Sequence, residues 1–425
     1  MAIERPKNPY VPLSERDVEV MLKKIGVSSI DVLFRDIPYA PHDPALPLPV
    51  EEEELEQELM TRLGSPPPTS VRLRYVPALV DEIASRAEFY TAYTSYQSEL
   101  SQGMLQALFE FQSLVSSLTG MDAVASSLYD GGAALGEAAL LSKRVNGRKK
   151  VLVASSMDPQ RKAVLRTYAR GGNMEVAEIP FDESGELDLS YADIGEGISL
   201  VYVESPNYFG VLEEGLAELS SWAHSKGALL GVGVDLPSLS VLRPPSDYGA
   251  DLVVAEGVGL HSYASSGLGV LGVRAELMRQ LPGKLVGATT DSEGRLAYCL
   301  TLLTREQSIR REKATSNVTT DSALNALRAA VYLSLLGAKG LAEVVKKETS
   351  AARELESALR SLGYRAPSLS GPHLGRFAAE LPGSSKRPVQ AVGIPLWRDY
   401  PLLDQVLLFG GTSLNDVASA MGWSL

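Results

Sequence analysis

Gly227-Ala-Leu-Leu-Gly-Val-Gly-Val-Asp235 is a short apolar run that stops abruptly on a carboxylate. It is too short for a buried helix, carries glycines that a helix interior disfavours, and suits a strand with both faces covered. Similar β-rich runs lie on either side, at 151–155, 174–179, 200–204, 251–254 and 268–273. Between several of them fall helical stretches, at 133–143, 161–169 and 216–225. Continuous apolar strands alternating with helices predict an α/β fold with a mostly parallel sheet, helices covering both faces. In such sheets ligands gather at the carboxyl ends of the strands.

Three features stand at those ends. Asp235 closes the run quoted above, and Ser205-Pro206-Asn207 follows the strand that ends at Glu204. Tyr129-Asp130-Gly131-Gly132-Ala133 leads into an alanine-rich helix, where it forms either an anion-binding helix start or simply a tight turn. Large α/β enzymes that use pyridoxal phosphate share this layout. In them an aspartate at such a strand end pairs with the pyridine nitrogen, and a lysine on a later strand holds the coenzyme covalently. No lysine occurs here between Lys226 and Lys284, and Gly259 stands near the expected place. Asp235 is therefore either a vestige of that pairing or an ordinary strand terminus.

Composition narrows the functional classes. Forty Lys and Arg against 52 Asp and Glu give a net charge of −12, which argues against a nucleic-acid partner and an anionic membrane surface. The single cysteine, Cys299, excludes an intrachain disulfide and a cysteine-rich metal site. The histidines, His42, His224, His261 and His373, are too scattered to suggest a metal or a shared base. The charged, proline-containing start does not look like a secretory leader, and no apolar run reaches membrane-spanning length, so a cytoplasmic enzyme is expected.

The N-terminal region, 1–70, reads as a helical arm. Ser14 and Asp17 form a capping box, Val18, Met21, Leu22 and Ile25 share a face, and Gly26 ends the helix. A second short helix, capped by Ser28 or Ser29, is expected to bury Ile30, Leu33 and Phe34. A proline-rich extended stretch at 38–49 leads to an acidic helix at 51–63. The large α/β domain is placed at 71–335 and a small C-terminal α+β domain at 336–425. Helices are predicted at 323–336 and 340–362, separated by Gly337. Within the large domain, the polar and aromatic run at 85–103, rich in Tyr90, Tyr93 and Tyr96, feeds a helix that begins near Met104. It is either a ligand or interface loop or an aromatic packing corner. The block from Thr304 to Asn317 mixes both signs of charge, as a solvated helix face or an interface network would.

Taken together, several blocks resemble the glycine-cleavage P-protein family, glycine dehydrogenase (decarboxylating), in its split form, and specifically the lysine-less subunit 1, or alpha. They are Tyr10-Val-Pro-Leu-Ser14, Gly26-Val-Ser-Ser-Ile-Asp-Val-Leu-Phe-Arg-Asp-Ile-Pro38, Glu88-Phe-Tyr-Thr-Ala-Tyr-Thr94, Ser101-Gln-Gly103, Leu118-Thr-Gly-Met-Asp122, Tyr129-Asp-Gly131, Pro206-Asn207 and Thr304-Arg-Glu-Gln307 with Ile309 to Asn317. Departures from the family pattern fall at 65–77, Ser95, Ser98, Asp158, Ser308, 257–261 and 265–267. The resemblance implies a pyridoxal-phosphate-dependent transferase fold of the aspartate-aminotransferase type, fold type I. It implies a heterodimer, or a dimer of heterodimers, with a lysine-bearing subunit that carries pyridoxal 5'-phosphate. It also implies glycine decarboxylation with transfer of the aminomethyl group to the lipoyl H-protein. On that reading this chain holds no catalytic residue, no metal and no coenzyme, with Asp235, Gly131 and Gly132 as remnants. Tyr93, Tyr96, Glu99, Ser101, Gln102, Asn207 and Arg305 are expected to line the inter-subunit site. The alternative is a diverged structural or regulatory partner with no direct part in the chemistry.

Overall fold

A computed structural model describes residues 13–37, 50–63, 74–92, 100–191, 195–257, 267–302, 306–316, 318, 322–380, 394–396, 399–400, 403 and 406–410. The chain divides into two compact units, Met1–Ser65 and Pro66–Leu425. In the first, α1 (Glu15–Ile25) starts with the capping box: Asp17 N–H donates to Ser14 Oγ, and Ser14 N–H donates to Asp17 Oδ2 at 2.8 Å. It stops at Gly26, whose φ of 86° is open to glycine at little cost. A single 3₁₀ turn follows at Ile30–Phe34, and then α2 (Glu52–Leu63). Burial of Ile30, Leu33 and Phe34 was expected. Instead they are 49%, 48% and 56% exposed, because no described residue of this unit packs over them.

The second unit opens with α3 (Ala78–Ala84), α4 (Ala87–Tyr90) and the long α5 (Gln102–Thr119). Then come β1 (Ala123–Val124), α6 (Gly131–Asn146), β2 (Lys150–Ala154), α7 (Pro159–Gly171) and β3 (Glu175–Ile179). They are followed by β4 (Ile198–Glu204), α8 (Leu216–Ser225), β5 (Leu229–Val234), β6 (Leu252–Glu256) and β7 (Gly269–Val273). These strands form one seven-stranded sheet in the order β1-β7-β6-β5-β4-β2-β3. The run from β3 to β6 is parallel, as the sequence pattern predicts; at one edge β7 turns back antiparallel to β6, and β1 pairs antiparallel with β7, so that β1 again runs with the parallel strands.

Alternating side chains of the strands feed two separate cores. Val201, Val203, Leu230, Val232 and Val253 pack with α5 residues such as Leu105 and Leu108. Leu200, Tyr202, Leu252 and Val254 pack on the other face with Leu135 and Ala138 of α6. Both faces are dry, which is why the strands read as unbroken apolar runs. The glycines of β5 have a local reason. Tyr202, on the neighbouring β4, lies across β5, and a Cβ at Gly233 would collide with its hydroxyl.

Beyond the sheet, β8 (Leu285–Thr290) and β9 (Leu296–Thr301) form a hairpin with no counterpart in the sequence reading. It leans on α5 through two glutamines. Gln112 accepts from Val286 N–H and donates to Val286 C=O, each at 3.0 Å. Gln102 does the same at Tyr298, at 2.8 and 2.9 Å. Each amide thus imitates a neighbouring strand. After α9 (Gln307–Arg310), α10 (Ala323–Ser361) contains both helices expected there, joined at Gly337 with φ 57° and ψ −175°. Finally β10 (Arg376–Glu380), β11 (Ile394–Pro395) and β12 (Val406–Gly410) form a small antiparallel sheet, with β12 in the middle. Among the described residues no helix is long and apolar enough to cross a membrane.

Candidate functional site

Three neighbouring parallel strands, β4, β5 and β6, each run into a carboxylate at the same edge: Glu204, Asp235 and Glu256. Three anions side by side at a largely buried sheet edge would repel one another and lose hydration, so each needs a partner. Each has one, drawn from a different part of the chain.

Asp235 is held by Arg74. The guanidinium donates from Nη1 and Nη2 to the two carboxylate oxygens, both at 2.7 Å. It also grips Glu348 of α10 through Nε at 2.7 Å and Nη2 at 2.9 Å. Two forked pairs on one guanidinium use its planar geometry fully. Burial opposes charge on Asp235, but Arg74 beside it holds its carboxyl below the usual carboxylate range. Burial likewise opposes charge on Arg74, and the attraction of Asp235 and Glu348 outweighs it, raising its pKa well above the ordinary value.

Glu204, 3% exposed, accepts from Arg161 Nη1 at 2.9 Å, from the Tyr202 hydroxyl at 3.1 Å and from Asp158 N–H at 3.0 Å. Asp158 in turn caps α7, accepting from Gln160 and Arg161 N–H. Glu256 accepts the Gly131 N–H at the start of α6, where the helix dipole favours a negative charge. Asp130 caps the same helix, taking the Ala133 N–H at 2.6 Å. Burial still pushes the Glu256 carboxyl up despite the Gly131 N–H.

Beside this edge, the loop after β4 folds on a fourth carboxyl, Glu213, which is 7% exposed. It accepts from Leu187 N–H at 2.8 Å and Asn207 Nδ2 at 3.3 Å. Burial is the dominant influence and pushes its pKa up to about 7. Asn207 is 2% exposed and fully engaged: Nδ2 also reaches Gly185 C=O at 2.8 Å, and Oδ1 accepts from Phe209 and Val211 N–H, each at 3.1 Å.

Of the residues singled out from sequence, Tyr93, Tyr96, Glu99, Arg305 and Gly259 lie outside the described residues. Ser101 and Gln102 sit together where α5 begins, Ser101 at the N-cap position and Gln102 on the backbone of β9. Asn207 shares no described hydrogen bond with either. Gly131 and Gly132 form the first turn of α6, facing Glu256 and Val164. Glu204 was noted only as a strand end and Arg74 only as part of the departing stretch 65–77, while Arg161, Glu213, Glu256 and Glu348 were not singled out in the sequence. The signal available for Glu204 and Glu256 was the same as for Asp235, an apolar strand ending on an acid. No local signal pointed to Arg74.

The layout of a pyridoxal phosphate site is present in outline, with a carboxylate at the end of a central strand and a glycine-led helix start on the neighbouring edge. The groups themselves do not fit the coenzyme. The Asp235 carboxylate is taken at both oxygens, the Gly131 N–H is taken by a carboxylate, and no lysine lies between Lys226 and Lys284. A methyl group at Gly131 would come within 3.0 Å of Glu256 Oε2 and 3.1 Å of Arg161 Nε, so there is little space at that helix start.

Sheet order, crossovers and strand-end carboxylates define the class: this is a pyridoxal-phosphate-dependent transferase fold of type I. At the level of fold alone, a sphingosine-1-phosphate lyase from Burkholderia pseudomallei superposes with a TM-score of 0.62 at 15% identity, covering 92% of this chain and 94% of that one. A crystal structure of glycine decarboxylase (P-protein) of the glycine cleavage system, in inhibitor-bound form, matches with a TM-score of 0.83 at 36% identity, over 98% of this chain and 99% of the other. A relative from Geobacillus kaustophilus, named probable glycine dehydrogenase (decarboxylating) subunit 1, is 42% identical, covering 96% of this chain and 95% of its own. The family model for the glycine cleavage system P-protein matches residues 8–377, and the chain belongs to that family.

Proposed function

We propose that this chain is the non-coenzyme-carrying subunit of glycine decarboxylase. Its partner, a lysine-bearing second subunit in a heterodimer or dimer of heterodimers, carries pyridoxal 5'-phosphate. The pair decarboxylates glycine and passes the aminomethyl group to lipoyl-H-protein, in the cytoplasm. The observation that carries this reading is the state of Asp235: in a chain without the lysine, the carboxylate that would recognise the coenzyme ring is bound at both oxygens by Arg74. Its relatives' name, subunit 1, supports the existence of a second subunit.

Pyridoxal phosphate, bound in the partner, supplies an electron sink for the electron pair left when carbon dioxide departs. This chain's part is to complete the pocket. Tyr93, Tyr96, Glu99, Ser101, Gln102, Asn207 and Arg305 are the residues proposed to line it, Arg305 and the hydroxyl and amide groups orienting the substrate carboxylate. The N-terminal arm, 1–70, the large domain, 71–335, and the small domain, 336–425, remain the proposed division of labour. A second reading, a structural or regulatory partner without a direct role, draws on Gln102 and Asn207, whose amides already serve their own backbone.

The test reconstitutes the enzyme from this chain and its partner. The chain alone stays colourless with pyridoxal phosphate, while the pair shows the coenzyme's visible absorbance and exchanges the glycine carboxyl with bicarbonate several-fold faster than the partner alone. Equal exchange by the partner without this chain would reject the proposal in favour of the second reading. Replacing Tyr93 and Glu99 together lowers exchange in the pair; unchanged exchange removes both from the pocket.

A further inference from the structure

The lost lysine explains why a coenzyme would not be held covalently, but it does not explain what fills the rest of the site. Two interactions do. A protonated pyridine nitrogen is a flat cationic N–H donor, and so is a guanidinium. Arg74 offers Asp235 that group in the same sense, twice over, at 2.7 Å from each oxygen. A phosphate is an oxyanion that accepts backbone N–H groups at a helix start, and a carboxylate is another. Glu256 offers Gly131 N–H that group at the first residue of α6, a helix of 16 residues. The neighbouring cation, Arg161, is committed to Glu204.

We infer that Arg74 and Glu256 are built-in stand-ins for the coenzyme: the guanidinium replaces the ring cation at Asp235, and the carboxylate replaces the phosphate at the α6 start. This deepens the proposed function, resting on the coenzyme being in the partner. The old site then serves as an internal brace. Arg74, just before α3, ties the end of β5 to Glu348 on the C-terminal stretch of α10, while Glu256 ties β6 to α6. Loss of the lysine alone would leave a cleft able to bind the coenzyme non-covalently. Loss of the lysine with both stand-ins in place leaves none.

The experiment uses the full chain by itself and measures binding and melting temperature, not turnover. The variants are Glu256→Ala, Arg74→Ala and the two combined, with inorganic phosphate and pyridoxal phosphate as probes. Wild type binds neither saturably. Glu256→Ala, with the helix start uncovered, gains saturable phosphate binding and a melting temperature that rises with phosphate, by several degrees at millimolar concentration. The combined variant binds pyridoxal phosphate at least tenfold more tightly than wild type. If the combined variant does not fold, the phosphate response of Glu256→Ala decides the matter alone. A folded Glu256→Ala chain that gains no phosphate binding overturns the inference while leaving the partner's coenzyme untouched. Stoichiometric pyridoxal phosphate on the wild-type chain overturns both this inference and the proposed function.

Discussion

Glu213 shows how a single side chain links packing to pH. Its carboxyl is buried among Leu187 N–H, Asn207 and Ser156, and burial raises its pKa from 4.5 to about 7. Below about 4.5 the group is protonated in both folded and unfolded chains, so it does not affect their balance. As pH rises toward 7 the unfolded chain gives up its proton first, and the native state loses stability through that window, by about 3 kcal/mol in total. Glu213→Gln keeps the size and the hydrogen-bonding reach but removes the titration. Urea midpoints measured between pH 5 and 8 are expected to fall less steeply for the variant than for wild type. Parallel curves would mean that Glu213 does not titrate in this range. The Arg74 network is the opposite case. Its charges are stabilised by one another, and it brings together residues 161 and 274 positions apart, which is why no local pattern announced it.

At the level of elements, α5 is the piece the sequence identified and then under-read. Its apolar face was visible from Met104 onward, and Met104, Leu105, Leu108 and Phe111 are buried as that spacing requires. Its glutamines were read as candidate site groups or not at all, because an amide that pairs with a strand backbone looks no different in sequence from one that meets a ligand. The hairpin formed by β8 and β9 depends on them. Gln112 is 7% exposed and satisfies a buried N–H and C=O of Val286, so Gln112→Leu leaves both without partners. The expected loss is about 2–4 kcal/mol. Gln102, which makes the same pair of bonds at an exposed position, is expected to lose about 1 kcal/mol or less on the same change, since water replaces the amide. Chemical denaturation of the two variants compares them directly. Equal losses would show that burial is not what separates the two glutamines.

For the whole molecule, the first unit is the part that does not bury its apolar side chains within itself. Val20, Met21, Ile25, Phe34, Leu59 and Met60 are 61%, 48%, 57%, 56%, 46% and 70% exposed. Helices of 11 and 12 residues are marginal in water without a packed face. The second unit, by contrast, has its own two-sided core. Deleting residues 1–65 is therefore expected to leave the melting temperature of the remainder within a few degrees and to abolish stable association with the second subunit, read by size-exclusion chromatography of the mixture. Association that survives the deletion would show that the arm is not where the partner binds.

The sequence by itself determined the class of fold, the alternation of strands and helices from β2 to β7, and the absence of the lysine. Those properties are local: a strand buried on both faces must be apolar throughout, and a missing residue type is missing wherever the chain goes. Only the tertiary structure decided what the strand-end carboxylates do. Which arginine meets Asp235, and which amide meets Glu256, depends on where topology brings distant segments together. The antiparallel edge of the sheet belongs there too, since β7 reads as apolar in either direction and only its pairing with β6 and β1 sets its sense. Charge in a largely dry site must be balanced by whatever the fold delivers within a few ångströms, and that distance is not written in any stretch of the chain.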